Sequence, residues 1–330
     1  MASCHFGSGT KLPLRQSFHI LTPNTSSIEG SWLRGELVRT FTEDGLELQG
    51  LFCPPAAAKT SGKALLHIHG FTGNFYEPRF VDYIAEQVVK KGYAFLTANT
   101  KGHDYRSGFI KKTASGLTYV QIGSAYEILE DCIFDIKAWI DFLQGCGYSE
   151  VILEGESLGP VKTVFYEHQM QDERVRGMVL ISPVDHIGLQ RMAVGCKYDE
   201  AVNVAGQMIE HGKSDELMPG IYCPLWRFSI SAKTYINALG PNTKSGIFNF
   251  HDPNARFEEL STITCPILAT YGTVREAVVD NKVEEALSII KRRAKSSKRC
   301  DTAIIRDAPH DYLGHEKELS ETIGNWITTV

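Results

Sequence analysis

From residue 36 onward, apolar and polar positions alternate in a way that separates strands from helices. Two strand-like runs, 36–42 and 46–52, are joined by Glu43-Asp44-Gly45, a hairpin turn in which glycine tolerates positive φ. Residues 64–69 form a short apolar run ending in Gly70-Phe71-Thr72-Gly73. Val81, Ile84, Ala85 and Val88 then recur at helical spacing over 80–91, stopped by Gly92. A strand at 93–98 and a loop at 100–108 follow. Over 127–143, Ile128, Cys132, Ile136, Trp139, Ile140 and Leu143 repeat at i, i+3, i+4, ended by Gly145. A strand at 151–154, a helix at 158–168 and a second strand at 177–182 continue the pattern.

Apolar strands alternating with amphipathic helices predict βαβ units: an α/β fold with a mostly parallel sheet and helices on both faces. The alternation breaks after Pro183. Residues 185–262 read as helix and loop, with four prolines and the aromatics Tyr222, Trp226, Phe228 and Tyr235. It resumes with a strand at 266–271, a helix at 283–295, a strand at 302–306 and a helix at 316–326. The expected organisation is an N-terminal extension (1–35), an α/β core (36–184 and 263–330) and a cap insertion (185–262). The polar extension suits packing on the body or on a second subunit, as in a homodimer.

The 330 residues, 43% hydrophobic and 22% charged, allow a large core. A formal charge of -5 argues against a nucleic-acid partner, which selects a basic face. The eight cysteines are scattered without a Cys-x-x-Cys pair, as expected of free thiols in a reducing compartment. Residues 1–15 lack the apolar core of a signal peptide, and no stretch approaches the roughly 20 apolar residues of a membrane span. The expectation is a soluble cytoplasmic protein with no membrane partner.

The sharpest chemical signal is Gly155-Glu156-Ser157-Leu158-Gly159 between an apolar strand and a helix. Gly-x-Ser-x-Gly in that context is a nucleophile elbow: side chains in place of the glycines would collide with the adjoining strand and helix. The turn lifts the serine hydroxyl beside a helix N-terminus, which favours negative charge. A serine hydroxyl is weakly nucleophilic and needs a base. His310, in the loop between the last strand and the last helix, comes after the serine in the chain, the order this elbow uses. No cofactor is expected. The first βα turn lacks Gly-x-Gly-x-x-Gly, and His67 and His69 have no third metal ligand spaced with them, so both read as structural.

On these residues the chain resembles the α/β-hydrolase superfamily from about residue 36 to the C-terminus. Within it, Gly70-Phe71-Thr72-Gly73-Asn74-Phe75-Tyr76, Asn99-Thr100-Lys101-Gly102-His103-Asp104 and the elbow look closest to a siderophore-hydrolase-like branch of serine esterases. The resemblance implies an oxyanion hole made by the backbone N–H groups of Phe71 and Leu158. Two positions depart from the family pattern. Glu156 stands where histidine is common, and reads as an outward residue at a helix start. The place of the triad aspartate, three residues after Gly272, holds Arg275. Glu276, Asp185 and Asp280 are the candidate acids, in that order.

The leading expectation is hydrolysis of a carboxylic ester, lactone or related acyl bond of a small molecule through an acyl-enzyme. Tyr222, Trp226 and Phe228 would wall its pocket. Acyl transfer or cyclisation, carbon–carbon bond cleavage, and slow or absent turnover in a small-molecule-binding homologue use the same residues and stay open.

Overall fold

The computed structural model describes residues 15–16, 35–55, 62–224 and 228–330. The expected extension therefore lies outside the described residues except at Arg15–Gln16 (β1) and Gly35. β1 pairs antiparallel with Glu36–Phe41 (β2). β2 turns through Gly45, at φ 90°, into Glu47–Cys53 (β3). A Cβ on Gly45 would collide with the Lys112 carbonyl, so glycine is required there for space as well as for φ.

Lys63–Ile68 (β4), the helix Arg79–Lys90 (α1) and Ala94–Ala98 (β5) form the first βαβ unit. The chain then makes a separate antiparallel ribbon, Ser107–Thr113 (β6) and Gly116–Ile122 (β7). Cys132–Gly145 (α2), Glu150–Glu156 (β8), Gly159–Met170 (α3) and Val175–Ile181 (β9) restore the alternation. After an excursion through His186–Val194 (α4), Tyr198–Glu210 (α5), Ala232–Leu239 (α6) and Glu258–Thr262 (α7), the sheet closes. Its last elements are Ile267–Tyr271 (β10), Val283–Arg293 (α8), Cys300–Ile304 (β11) and Glu316–Ile327 (α9). The strand order is β1-β2-β3-β5-β4-β8-β9-β10-β11, antiparallel as far as β5 and parallel beyond it.

Successive residues of a strand face opposite sides of a sheet, and here both sides are buried. Leu65, Phe95, Ile152, Val179 and Leu268 pack under α1 and α9. Their neighbours Leu66, Leu96, Leu153, Leu180 and Ala269 pack under α2, α3 and α8. Each such leucine or valine stabilises the fold by about 1.5–3 kcal/mol through burial. That is why the central strands read as continuous apolar runs.

The 185–262 segment divides in two. Its first part has its own small core of Ala201, Ala205, Met218, Tyr222, Ile230 and Tyr235. Its second part, with Ile247, Phe248, Phe257 and Leu260, joins the core of the main sheet. The β6–β7 ribbon is absent from the sequence expectations. β7 is exposed along nearly its whole length, so no apolar alternation marks it. No helix among the described residues is long and apolar enough to cross a membrane.

Candidate active site

β8 delivers Ser157 directly into α3, and the serine adopts a left-handed φ of 56°. For a non-glycine residue this is a strained conformation, of the kind that recurs at functional turns. Its neighbours explain how it persists. A Cβ on Gly155 would collide with the Gly159 backbone, and one on Gly159 with the Ile68 carbonyl oxygen. The Ser157 N–H donates to the Ile181 carbonyl at 2.9 Å, which ties the turn to β9.

His310 Nε2 lies 3.0 Å from Ser157 Oγ, and its Nδ1 lies 2.6 Å from Glu276 Oε2. Burial draws the imidazole pKa down, but the hydrogen bond and charge of Glu276, with the charges of Glu156 and Asp311, outweigh it. The net result lies above the ordinary histidine value of 6.5.

Glu276 reaches the imidazole because Arg275 takes a φ of 55°. That turn leaves Arg275 exposed and the Glu276 carboxylate fully buried. The second carboxylate oxygen accepts from the Gly272 N–H at 2.6 Å and from the Ser182 hydroxyl at 2.9 Å. A Cβ on Gly272 would crowd Glu276 Oε1 and collide with the Ala308 carbonyl, so this glycine is part of the same arrangement. The loops bearing Glu276 and His310 are joined where the N–H groups of Thr273 and Val274 meet the Ala308 carbonyl, both at 3.0 Å.

The other two carboxylates are engaged elsewhere. Asp185 caps α4 through the Gly188 N–H and holds the backbone and Nδ1 of His251. Asp280 is exposed and lies 3.7 Å from the Lys282 ammonium.

Phe71 follows β4, and Leu158 directly follows Ser157 at the start of α3, where backbone N–H groups have no helical partner. The intervening Gly70 is held from both sides. Its N–H donates to Glu156 Oε1 at 2.6 Å, and its carbonyl accepts from His69 Nδ1 at 2.8 Å. Glu156 is therefore not an outward helix-start residue. It is the last residue of β8, and its side chain turns back to the loop after β4.

Burial keeps the His69 imidazole neutral, well below its usual pKa, so its Nε2 accepts from the Thr100 N–H at 3.1 Å. His67 faces Glu154 at 2.8 Å, both fully buried. Among the described residues, no three His, Cys, Asp or Glu side chains are grouped to hold a metal ion.

Ser157 and His310 open onto a cleft of about 410 Å³, walled also by Phe71, Arg79, Glu156 and Leu313. Two of the aromatics expected in a pocket lie elsewhere. Tyr222 is buried in the small core of the excursion, its hydroxyl donating to Glu200 at 2.8 Å, because its ring completes that core. Phe228 is 45% exposed and packs on Tyr105, with ring centroids 4.9 Å apart. Trp226 lies outside the described residues.

By sequence, residues 50–328 match the family described as a protein of unknown function, DUF1749. The chain belongs to this family. No curated protein matches it by sequence. By structure, this DUF1749 chain is similar to Est1E from Butyrivibrio proteoclasticus (TM-score 0.61, 16% identity, 89% of this chain and 98% of that one). It is also similar to the Pyrococcus furiosus esterase Pf2001 (TM-score 0.55, 17% identity, 93% and 99%). A third such structure is the carboxylesterase CesB from Bacillus subtilis (TM-score 0.50, 15% identity, 90% and 91%). The fold is the α/β-hydrolase fold.

Proposed function

We propose that the protein is a serine hydrolase that cleaves a carboxylic ester, lactone or related acyl bond. The observation that carries this reading is the relay Ser157–His310–Glu276, with spacings of 3.0 and 2.6 Å, at a strained strand-to-helix turn. In the first step Ser157 Oγ attacks the acyl carbon and His310 Nε2 takes its proton. The oxyanion that forms is held by the N–H groups of Phe71 and Leu158. Collapse breaks the bond to the alcohol oxygen, which leaves with the proton from His310. Water then attacks the acyl-enzyme by the same route and releases the acid. Glu276 keeps the proton of neutral His310 on Nδ1 and stabilises the imidazolium.

Arg275 at the usual acid position is what a catalytically weak binding protein would carry, but it is exposed and Glu276 turns inward beside it, which supports the hydrolase reading. The excursion after β9 acts as the cap, with α6 contributing Thr234, Asn237 and Ala238 to a cavity beside the elbow. The seven described cysteines are free thiols, which supports placement in a reducing compartment such as the cytoplasm.

The motif resemblance to siderophore-hydrolase-like esterases, and the structure of Est1E with ferulic acid bound, name two ester classes to assay. The basic test is turnover of 4-nitrophenyl acetate by wild type and Ser157→Ala, with circular dichroism as the check on folding. The reading expects Ser157→Ala to lose about 10⁴-fold or more in kcat while staying folded. Undiminished turnover by the folded variant would overturn it.

A further inference from the structure

The cleft at Ser157 and His310 is lined by the carboxylates of Glu77, Glu156, Asp311 and Glu316 and by the guanidinium of Arg79. Most of these carboxylates have partners. Glu77 accepts from the Asn74 amide at 3.2 Å, Glu156 from the Gly70 N–H at 2.6 Å and Asp311 from the Leu313 N–H at 3.3 Å. Glu316 is different. It is only 7% exposed, yet among the described residues its side chain makes no hydrogen bond and no ion pair. Neither of its carboxylate oxygens is sealed from solvent, so a group bound in the cleft can reach them. Glu316 begins α9 but bonds none of that helix's free N–H groups, so capping does not account for it. Arg79 is exposed and makes no ion pair with it. An ionised carboxylate taken out of water is costly unless paired, and buried charges normally are paired. An unpaired one in the wall of a substrate cleft is suited to receive a cation.

We propose that Glu316 binds an ammonium group in the alcohol part of the substrate, so that the protein acts on esters of amino alcohols. The inference rests on the serine-hydrolase reading and names its substrate class. The leaving oxygen takes its proton from His310 Nε2, so the alcohol part lies against the residues that follow His310. Two successive turns bring Glu316 back into that wall: the Tyr312 N–H donates to the Pro309 carbonyl at 2.9 Å, and the His315 N–H to the Tyr312 carbonyl at 2.8 Å. An ammonium N–H gives the carboxylate a charge-assisted hydrogen bond, stronger than a neutral one. An alkyl group of the same shape leaves the carboxylate buried without a partner. The exposed Glu77 and Asp311 add a weaker attraction of the same sign, which salt screens.

The test compares acetates that share one spacer and differ at its end: 3-(dimethylamino)propyl acetate, cationic at pH 7, the neutral 4-methylpentyl acetate and the anionic 4-acetoxybutanoate. Each rate is corrected for hydroxide-catalysed reactivity. Wild type should prefer the cationic ester to the neutral one by about tenfold or more in kcat/KM. Glu316→Gln, folded by circular dichroism, should bring that ratio close to one, whereas Glu77→Gln should keep most of it. Thermal shift is a second readout that needs no reactive serine. N-(3-dimethylaminopropyl)acetamide should raise the Tm of wild type more than that of Glu316→Gln, and N-(4-methylpentyl)acetamide should not discriminate. If Glu316→Gln does not fold, the wild-type ratio decides alone. A wild-type ratio near one, a ratio unchanged in Glu316→Gln or lowered equally in Glu77→Gln, or a preference for the anionic ester would overturn the cation site and leave the hydrolase standing. Absence of turnover with the amide discrimination intact would keep the cation site and remove the hydrolase. Absence of both would overturn the cation site as well.

Discussion

Glu156 Oε1 accepts a hydrogen bond from the Gly70 N–H at 2.6 Å, so the residue before Ser157 fastens the loop that carries Phe71. The two residues stand 86 positions apart, and the bond bridges the ends of β4 and β8, which are paired in the sheet. Oxyanion donors act because they are fixed before the charge develops, and losing one outright costs about 10²–10³ in kcat. Glu156→Ala frees the loop without deleting the donor, so kcat on a short ester should fall roughly 10- to 100-fold. Glu156→Gln retains an acceptor and should stay within a few-fold of wild type. Full kcat in Glu156→Ala would show that the bond is incidental.

The same pair of variants bears on pH dependence. His310 must be neutral to accept the Ser157 proton, so the rate rises with pH as the imidazole ionises. Its pKa is raised by Glu276 and, in smaller part, by Glu156 and Asp311. The ascending limb of kcat/KM should therefore be centred above the ordinary 6.5. Removing the Glu156 charge in Glu156→Gln should move the midpoint downward. A profile of kcat/KM between pH 5 and 9 reads both effects, and an upward shift in the variant would contradict the assignment.

The acid is tested by comparing two carboxylates that both lie just past strands of the parallel sheet. Glu276→Gln leaves the wrong tautomer facing Ser157 and should lose about 10⁴ in kcat. Asp185→Ala should retain kcat within about tenfold. Loss of its cap on α4 and of its bond to His251 should instead cost about 2 kcal/mol in urea unfolding. A reversal of the two phenotypes would move the acid to Asp185.

The elbow's geometry makes a steric prediction. Gly159→Ala places a methyl against the Ile68 carbonyl, a backbone atom that cannot swing aside. The elbow must shift, and kcat should fall at least tenfold together with Tm, because misplacing a nucleophile by about 1 Å can cost 10² in rate. Gly145→Ala, at the end of α2 with no heavy atom within 4 Å of its Cβ, is the matched control. It should stay within about 0.5 kcal/mol of wild type.

Much of the fold is legible from the chain because the central strands are buried on both faces and the helices carry one apolar stripe each. Leu65 and Leu66, adjacent in β4, face opposite cores, and a run of apolar residues is the sequence signature of that arrangement. The β6–β7 ribbon escapes the same logic because Leu117 and Tyr119 are exposed and there is no buried face to impose a period. At the site, Ser157 and His310 stand out because local turn chemistry and chain order mark them.

The carboxylates are different. Their choice depends on a left-handed φ at Arg275, and sequence offset from the strand cannot distinguish that turn from an ordinary continuation. Ser182, which bonds Glu276, carries no local signal at all. Gly272 does carry one, since a glycine immediately after a strand marks a close approach of backbone. Tyr222 and Phe228 show the converse error: aromatic clustering in a cap segment signals packing at least as readily as a ligand pocket.

The central claim is that Ser157 is an activated nucleophile driven by His310. Intact-mass analysis after treatment with a fluorophosphonate, followed by peptide mapping, measures this directly. The account predicts a single adduct on Ser157, none on Ser157→Ala, and labelling slowed by several orders of magnitude in His310→Ala. A wild-type protein left unmodified, or labelled at the same rate without His310, would contradict it.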